Sequence, residues 1–245
     1  MKPQQATAEQ TVEAIDSAFM LKIFYCFLLL AGFSVLINFG GKMLGRSIVM
    51  AGHTDDRSLV EVVIGNNVLS LPVNEIRFEQ ERRSGVATRL DTYLRWPSLD
   101  GYSNETRDDF NHVDGSRNII FVSFREQMMS RDMSGRMAPI YDALIVKPGV
   151  PGPKGVMLYG FKEKSGYMNE VLAVAERRGA SPFVARCLTG EAGRTSLAAC
   201  ERDIHIGDGL SMTYRFSDSL LADWRALDAS MAAYASKRLK TIRQP

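Results

Sequence analysis

The sequence predicts an α+β protein, with one N-terminal transmembrane helix followed by a soluble, mainly antiparallel-sheet domain and a C-terminal helix. Three observations carry this prediction. Residues Ile23–Gly41 contain no charged side chain. Beyond them, short apolar and β-branched runs alternate with Gly- and Asn-containing turns, so hairpins outnumber any strand–helix–strand pattern. The chain then closes on apolar residues recurring at three- and four-residue spacing.

The apolar segment reads IFYCFLLLAGFSVLINFGG and extends backward over Ala18–Leu21, with Lys22 able to snorkel to the interface. At about 1.5 Å per residue, a helix of this length crosses the roughly 30 Å hydrocarbon core. A cleaved signal would need small residues just after the apolar run. Val49-Met50-Ala51 is the passable match, and Lys42 and Arg46 stand before it, so the segment reads as a retained anchor. The expected organisation is a cytoplasmic tail at 1–22, a transmembrane helix at 23–41, a juxtamembrane linker at 42–57 and a periplasmic α+β domain at 58–245.

Orientation rests on the cysteines, because the flanking positive charges are nearly balanced and large domains translocate regardless of such counts. Cys26 lies in the span. Cys187 and Cys200 enclose twelve residues rich in Gly and small polar side chains and read as a disulfide, worth about 3 kcal/mol in the chain-entropy model. Two independent reduced thiols are the alternative. A disulfide implies an oxidising compartment, hence a soluble domain outside the cytoplasm.

Along that domain, Leu59–Ile64 and Val68–Pro72 flank Gly65-Asn66-Asn67 as a hairpin. Ala87–Trp96 is a strand stopped by Pro97, and Asn118–Phe124 is a continuous apolar, buried strand. Residues 125–137 are polar and Met-rich. Pro139–Ile145 fits either a helical turn or a strand. Lys147–Gly155, with three Pro and three Gly in nine residues, is a loop. Val156–Phe161, Glu170–Ala175 and Phe183–Cys187 are strands, and Arg202–Ile206 pairs with Leu210–Phe216 through Gly207-Asp208-Gly209. Ser217 or Asp218 caps a final helix whose apolar face carries Leu220, Leu221, Trp224, Leu227, Met231 and Tyr234.

The formal charge is +2 with interleaved signs, which does not form a nucleic-acid footprint. His53, His112 and His205 have no His or Cys partner at ligand spacing, so no metal site, cofactor or catalytic residue is assigned. His53 stands beside Asp55 and Asp56, which together would hold a cation only loosely, and His205 falls on the outward face of its strand. Met129, Met133 and Met137 recur four apart. That spacing suits an adaptable packing or partner-contact stripe on a helix, with a thioether Cu(I) site as the minor reading. Leu94–Tyr102 combines Arg95, Trp96 and Tyr102, residue types that dominate interface energetics. Arg95, Trp96, Tyr102, Met129, Met133 and Met137 are therefore the candidate partner or ligand contacts.

Leu71-Pro72 and Ile76-Arg77-Phe78, then Tyr93-Leu94-Arg95-Trp96-Pro97 and Gly101-Tyr102, together resemble single-pass membrane-anchored periplasmic proteins of alphaproteobacteria. Met128–Gly135 and the Cys187/Cys200 pair fit the same resemblance. It implies a Gram-negative inner membrane with the domain in the periplasm, and brings no activity with it. The expected function is an inner-membrane-anchored periplasmic interaction or accessory protein, contacting the bilayer through 23–41 and an envelope protein through its domain. A periplasmic ligand-binding or sensor module is the alternative, and an envelope hydrolase a further one.

Overall fold

A computed structural model of the chain describes residues 17–50 and 52–241, and the chain divides into two compact units, 1–51 and 52–245. The first is a continuous helix, α1, Ser17–Met50. Its Met20–Ile37 stretch has a mean hydropathy of 2.2, is long and apolar enough to cross a membrane, and has no residue buried inside the protein. The helix runs past Gly41 to Met50, so the first part of the expected linker is helical. Of the expected cytoplasmic tail, residues 1–16 lie outside the described residues.

The second unit begins with the predicted hairpin. Strands β1 (Leu59–Ile64) and β2 (Asn67–Pro72) pair antiparallel across Gly65-Asn66, and a two-residue strand β3 (Gly85–Val86) joins β1 in parallel. Strand β4 (Arg89–Arg95) ends at a cis Trp96–Pro97 bond, where proline cannot donate to the ladder. A single helical turn, α2 (Arg107–Phe110), precedes β5 (Ile119–Glu126).

Residues 127–136 form no helix, so the expected methionine stripe does not exist as one face. Asp132 Oδ1 instead accepts from Gly135 N at 2.8 Å, a local turn that competes with helix formation. Pro139 then lacks the N–H an α-helix needs. The chain takes a wider π-turn over Met137–Tyr141, continued by the short α3 (Asp142–Leu144), so of Pro139–Ile145 all but Ile145 is helical, and Ile145 makes an antiparallel bridge to Phe161. The Pro/Gly loop carries β6 (Val150–Pro151). Strands β7 (Met157–Gly160), β8 (Glu170–Arg177) and β9 (Ala180–Leu188) follow, then the turn α4 (Gly190–Thr195). Strands β10 (Cys200–Ile206) and β11 (Leu210–Phe216) form the last hairpin, before a 3₁₀ turn at Asp218–Asp223 and the terminal helix α5 (Trp224–Arg238). Ser217 caps that turn, its side chain accepting from Ser219 N.

Eight strands form one antiparallel sheet in the order β4-β5-β11-β10-β9-β8-β7-β6. Its two faces are chemically different because side chains alternate along each strand. The inner face presents Leu90, Leu94, Ile120, Val122, Phe124, Met212 and Tyr214 to the main core, which also takes in the β1–β2 hairpin and α5. Trp224 of α5 meets Phe183 at 5.1 Å between ring centroids, and Tyr234 meets Phe124 at 6.4 Å. At about 1.5–3 kcal/mol for each large apolar side chain buried, the α5 face is a principal fastening of this unit.

Two buried polar networks set the position of α5. Asp228 accepts from Arg202 Nε, Tyr214 OH and Arg177 Nη1, while Glu75 accepts from Tyr234 OH at 2.8 Å and pairs with Arg238. Cys187 and Cys200 form the expected disulfide, joining directly paired residues of β9 and β10 beside the core.

Candidate functional site

The outer face of the large sheet is apolar and covered at both sides, and polar and open in the middle. At the β4 side, Tyr93 packs under Phe110, Tyr102 and His53, with ring centroids 4.9 Å apart for Tyr93–Phe110 and 4.7 Å for His53–Tyr102. His53 Nδ1 lies 3.0 Å from Tyr93 OH. Burial pushes the Tyr93 hydroxyl up to about 12 and draws His53 below its ordinary value, each environment disfavouring the charged form. At the other side, Met133, Tyr141, Ile145, Leu172, Val174 and Val184 make a second apolar cluster under the 127–146 segment.

Between these two covers, strand registers stack the side chains in rows. One row runs Tyr93–Phe121–Arg215–Glu201–Arg186, the next Asp91–Ser123–Thr213–Asp203, and the third Arg89–Arg125–Ser211–His205. The result is an open trough of about 480 Å³. Its floor is Phe121, Ser123 and Thr213, and its sides carry Arg77, Arg89, Arg125, Arg215 and the Ser196–Ala198 loop ahead of β10.

The charges in this trough are unevenly matched. Arg89 pairs with Asp91 at 2.7 Å, and Glu201 pairs with Arg186 at 2.8 Å. Burial pulls the Arg186 pKa down, but Glu170 and Glu201 outweigh it and hold the group above its ordinary value. Arg77 lies over Phe121 at 4.9 Å and over Phe78 at 5.0 Å, a cation–π arrangement that keeps its charge facing the trough. Arg215 makes a 3.4 Å bond to Ala198 O. Beyond the trough, Arg136 pairs with Asp203, whose carboxyl is raised by burial against the opposing pull of Arg136.

The residues expected as contacts do not converge here. Tyr102 is fully buried, because Gly101 runs against the turn after β2: a Cβ at Gly101 would sit 2.5 Å from Asn74 O. Tyr102 N donates to Asn74 O at 2.9 Å and Asn74 Nδ2 donates to Tyr102 O at 2.8 Å, so the loop is pinned with the Tyr102 ring turned inward. Trp96 is half-buried against the core, and Arg95 is held by Asp109 at 2.5 Å. Met133 is buried in the second cluster, which also takes Met137, whereas Met129 is exposed. His205 does fall on the outer face, in the third row.

His53, Asp55 and Asp56, adjacent in sequence, do not come together around a common point. His53 turns into the aromatic cluster, Asp56 caps Ser58 N at 2.8 Å, and Asp55 accepts from Asn104. Among the described residues, no three His, Cys, Asp or Glu side chains are grouped to hold a metal.

The trough arginines were missed because they lie on separate elements: Arg77 after β2, Arg125 at the end of β5, Arg215 on β11. The available signal was alternation, Phe121-x-Ser123-x-Arg125 and Thr213-x-Arg215, which marks one face of each strand.

No protein-family profile and no curated protein sequence matches this chain. Among solved structures it is similar to an immunity protein of the Stenotrophomonas maltophilia type IV secretion system, with a TM-score of 0.51 and 13% identity. That likeness spans 78% of this chain and 96% of the other, and at this identity it concerns the fold. A second similar structure is the iron-regulated outer membrane lipoprotein FrpD of Neisseria meningitidis, with a TM-score of 0.44 and 9% identity over 75% of this chain and 95% of that one.

Proposed function

We propose that this chain is a cell-envelope interaction protein, anchored in a bacterial inner membrane by residues 23–41, whose periplasmic domain receives a protein partner on the outer face of its sheet. The open trough, with guanidinium groups arranged around an aromatic floor between two covered flanks, is the observation that carries this reading. Arginine and aromatic side chains on a preformed concave face are what protein interfaces use as anchors. The exposed apolar stretch Met20–Ile37 supports attachment to a bilayer, and the Cys187–Cys200 disulfide supports an oxidising compartment. A solved protein of similar fold is an immunity protein of a secretion system, a role in keeping with an accessory rather than a catalytic part.

In-cell cross-linking of the full chain in native membranes, followed by affinity purification, tests this. The expected result is one reproducible envelope protein, lost when Arg125 and Arg215 are both changed to Glu. Recovery of the chain solely as an uncross-linked monomer would overturn the proposal. The volume of the trough also suits a small anionic ligand, the second reading. A reproducible rise in Tm with a small anion and no protein cross-link would favour it.

A further inference from the structure

We infer that the trough takes an extended acidic segment of the partner, bearing carboxylates four residues apart. This rests on the interaction reading above and names the chemistry of its partner. Among the described residues, Arg77, Arg125 and Arg215 have no carboxylate within ion-pair distance, while most other charges on this face are paired. Arg125 stands directly across from Arg89 in the strand register, and because Asp91 is already engaged by Arg89, Arg125 has no carboxylate of its own.

The unpaired cations lie at the two ends of the trough. Arg125 marks one end, and Arg77 and Arg215 flank Phe121 at the other. Phe121 and Arg125 are four residues apart on one strand, a span of about 13 Å. An extended peptide covers the same distance between its positions i and i+4, both of which face the same side. On an α-helix those two positions are only about 6 Å apart and cannot reach both ends. The intervening i+2 side chain would lie over Ser123 and Thr213, whose hydroxyls suit a small polar residue. Planar guanidinium groups match carboxylates in bidentate geometry. The exposed Leu197 at the rim, and the exposed Phe78 under the trough's Arg77, offer apolar contact to flanking residues, so the site fits a peptide better than a lone anion.

Fluorescence anisotropy tests this with the full chain in a neutral detergent at about 0.01 M salt, where screening reaches only beyond about 30 Å. The probe is a labelled Glu-Gly-Ser-Gly-Glu peptide. The comparators are Gln-Gly-Ser-Gly-Gln and a Glu-Glu peptide with adjacent carboxylates. The spaced Glu peptide is expected to bind about tenfold more tightly than either, and Arg125→Glu or Arg215→Glu to weaken it about tenfold. The double reversal should instead prefer Lys-Gly-Ser-Gly-Lys, a gain that a misfolded chain does not show. Equal binding of the adjacent-carboxylate peptide, or indifference to both reversals, overturns the inference. Displacement by equimolar inorganic phosphate overturns it in favour of a phosphate headgroup. If the peptides fail while cross-linking still captures a protein on the unaltered chain and loses it on the doubly reversed one, the acidic-segment inference falls and the interaction reading stands. If the cross-link is absent as well, both fall.

Discussion

Asp228 binds three donors at once, and its environment shows how much one buried carboxylate can decide. Arg202 is 1% exposed, and its remaining partners are Ser134 Oγ and Val184 O, both at 2.9 Å and both neutral. Removing the carboxylate strands that guanidinium in a low-dielectric interior, and breaking a buried pair in this way costs about 3–5 kcal/mol. Asp228→Ala should therefore lower the unfolding free energy by about that amount in a urea titration, with Asp228→Asn recovering part through its amide oxygen. A loss below about 1 kcal/mol would falsify the role given to this network.

His53 provides a second test at this scale. Burial lowers its folded-state pKa, so the unfolded chain holds more protons as the solution is acidified. The associated stability is fully present above the unfolded value of about 6.5 and is lost as pH falls through 6.5 toward the folded value. The midpoint of denaturant unfolding should fall between pH 8 and pH 5, with a smaller fall in His53→Gln. Equal falls in the two proteins would remove His53 from the account.

At the scale of elements, the disulfide ties two central strands at a point where their register is short. Strands β9 and β10 pair directly through two residue pairs, Cys200–Cys187 and Glu201–Arg186, whereas β10 and β11 pair along their whole length. The crosslink closes a loop with a sequence separation of 13 residues, and the chain-entropy model gives it about 3 kcal/mol. The double change Cys187→Ser and Cys200→Ser should lower stability by about that amount and move Tm down by about 6–12 °C for a domain of this size. Calorimetry of oxidised and reduced protein checks this, and coincident melts would show that the bond contributes nothing. The same element scale explains the failure of the methionine stripe. A four-residue spacing defines a face only where the chain is a regular helix or strand, and Asp132, Gly135 and Pro139 divert this segment from a helix.

For the whole molecule, the proposed topology makes a separate prediction. The full chain should stay with membranes through alkaline carbonate extraction, because a span of this hydropathy remains in the hydrocarbon phase. Protease added to spheroplasts should degrade the domain beginning at Gly52 and spare it in intact cells. Degradation seen only after lysis of the inner membrane would place the domain on the cytoplasmic side and reverse the orientation.

Much of this protein was determined by local sequence. The apolar run of α1, the β1–β2 and β10–β11 hairpins with their Gly and Asn turns, and the apolar face of α5 each carry a periodicity or a turn residue that acts within a few positions. The cysteine pairing was legible for a similar reason, since twelve intervening residues close readily. Tertiary structure alone decided which polar residues meet. Arg77, Arg125 and Arg215 lie up to 138 positions apart in the numbering, 215 minus 77, and share a trough because strand order places β5 beside β11. Tyr102 went the other way, drawn inside by backbone bonds to Asn74 that no local pattern announces. Periodicity acts through neighbours in the chain, whereas burial and charge matching act through neighbours in space, and strand order is what converts one into the other.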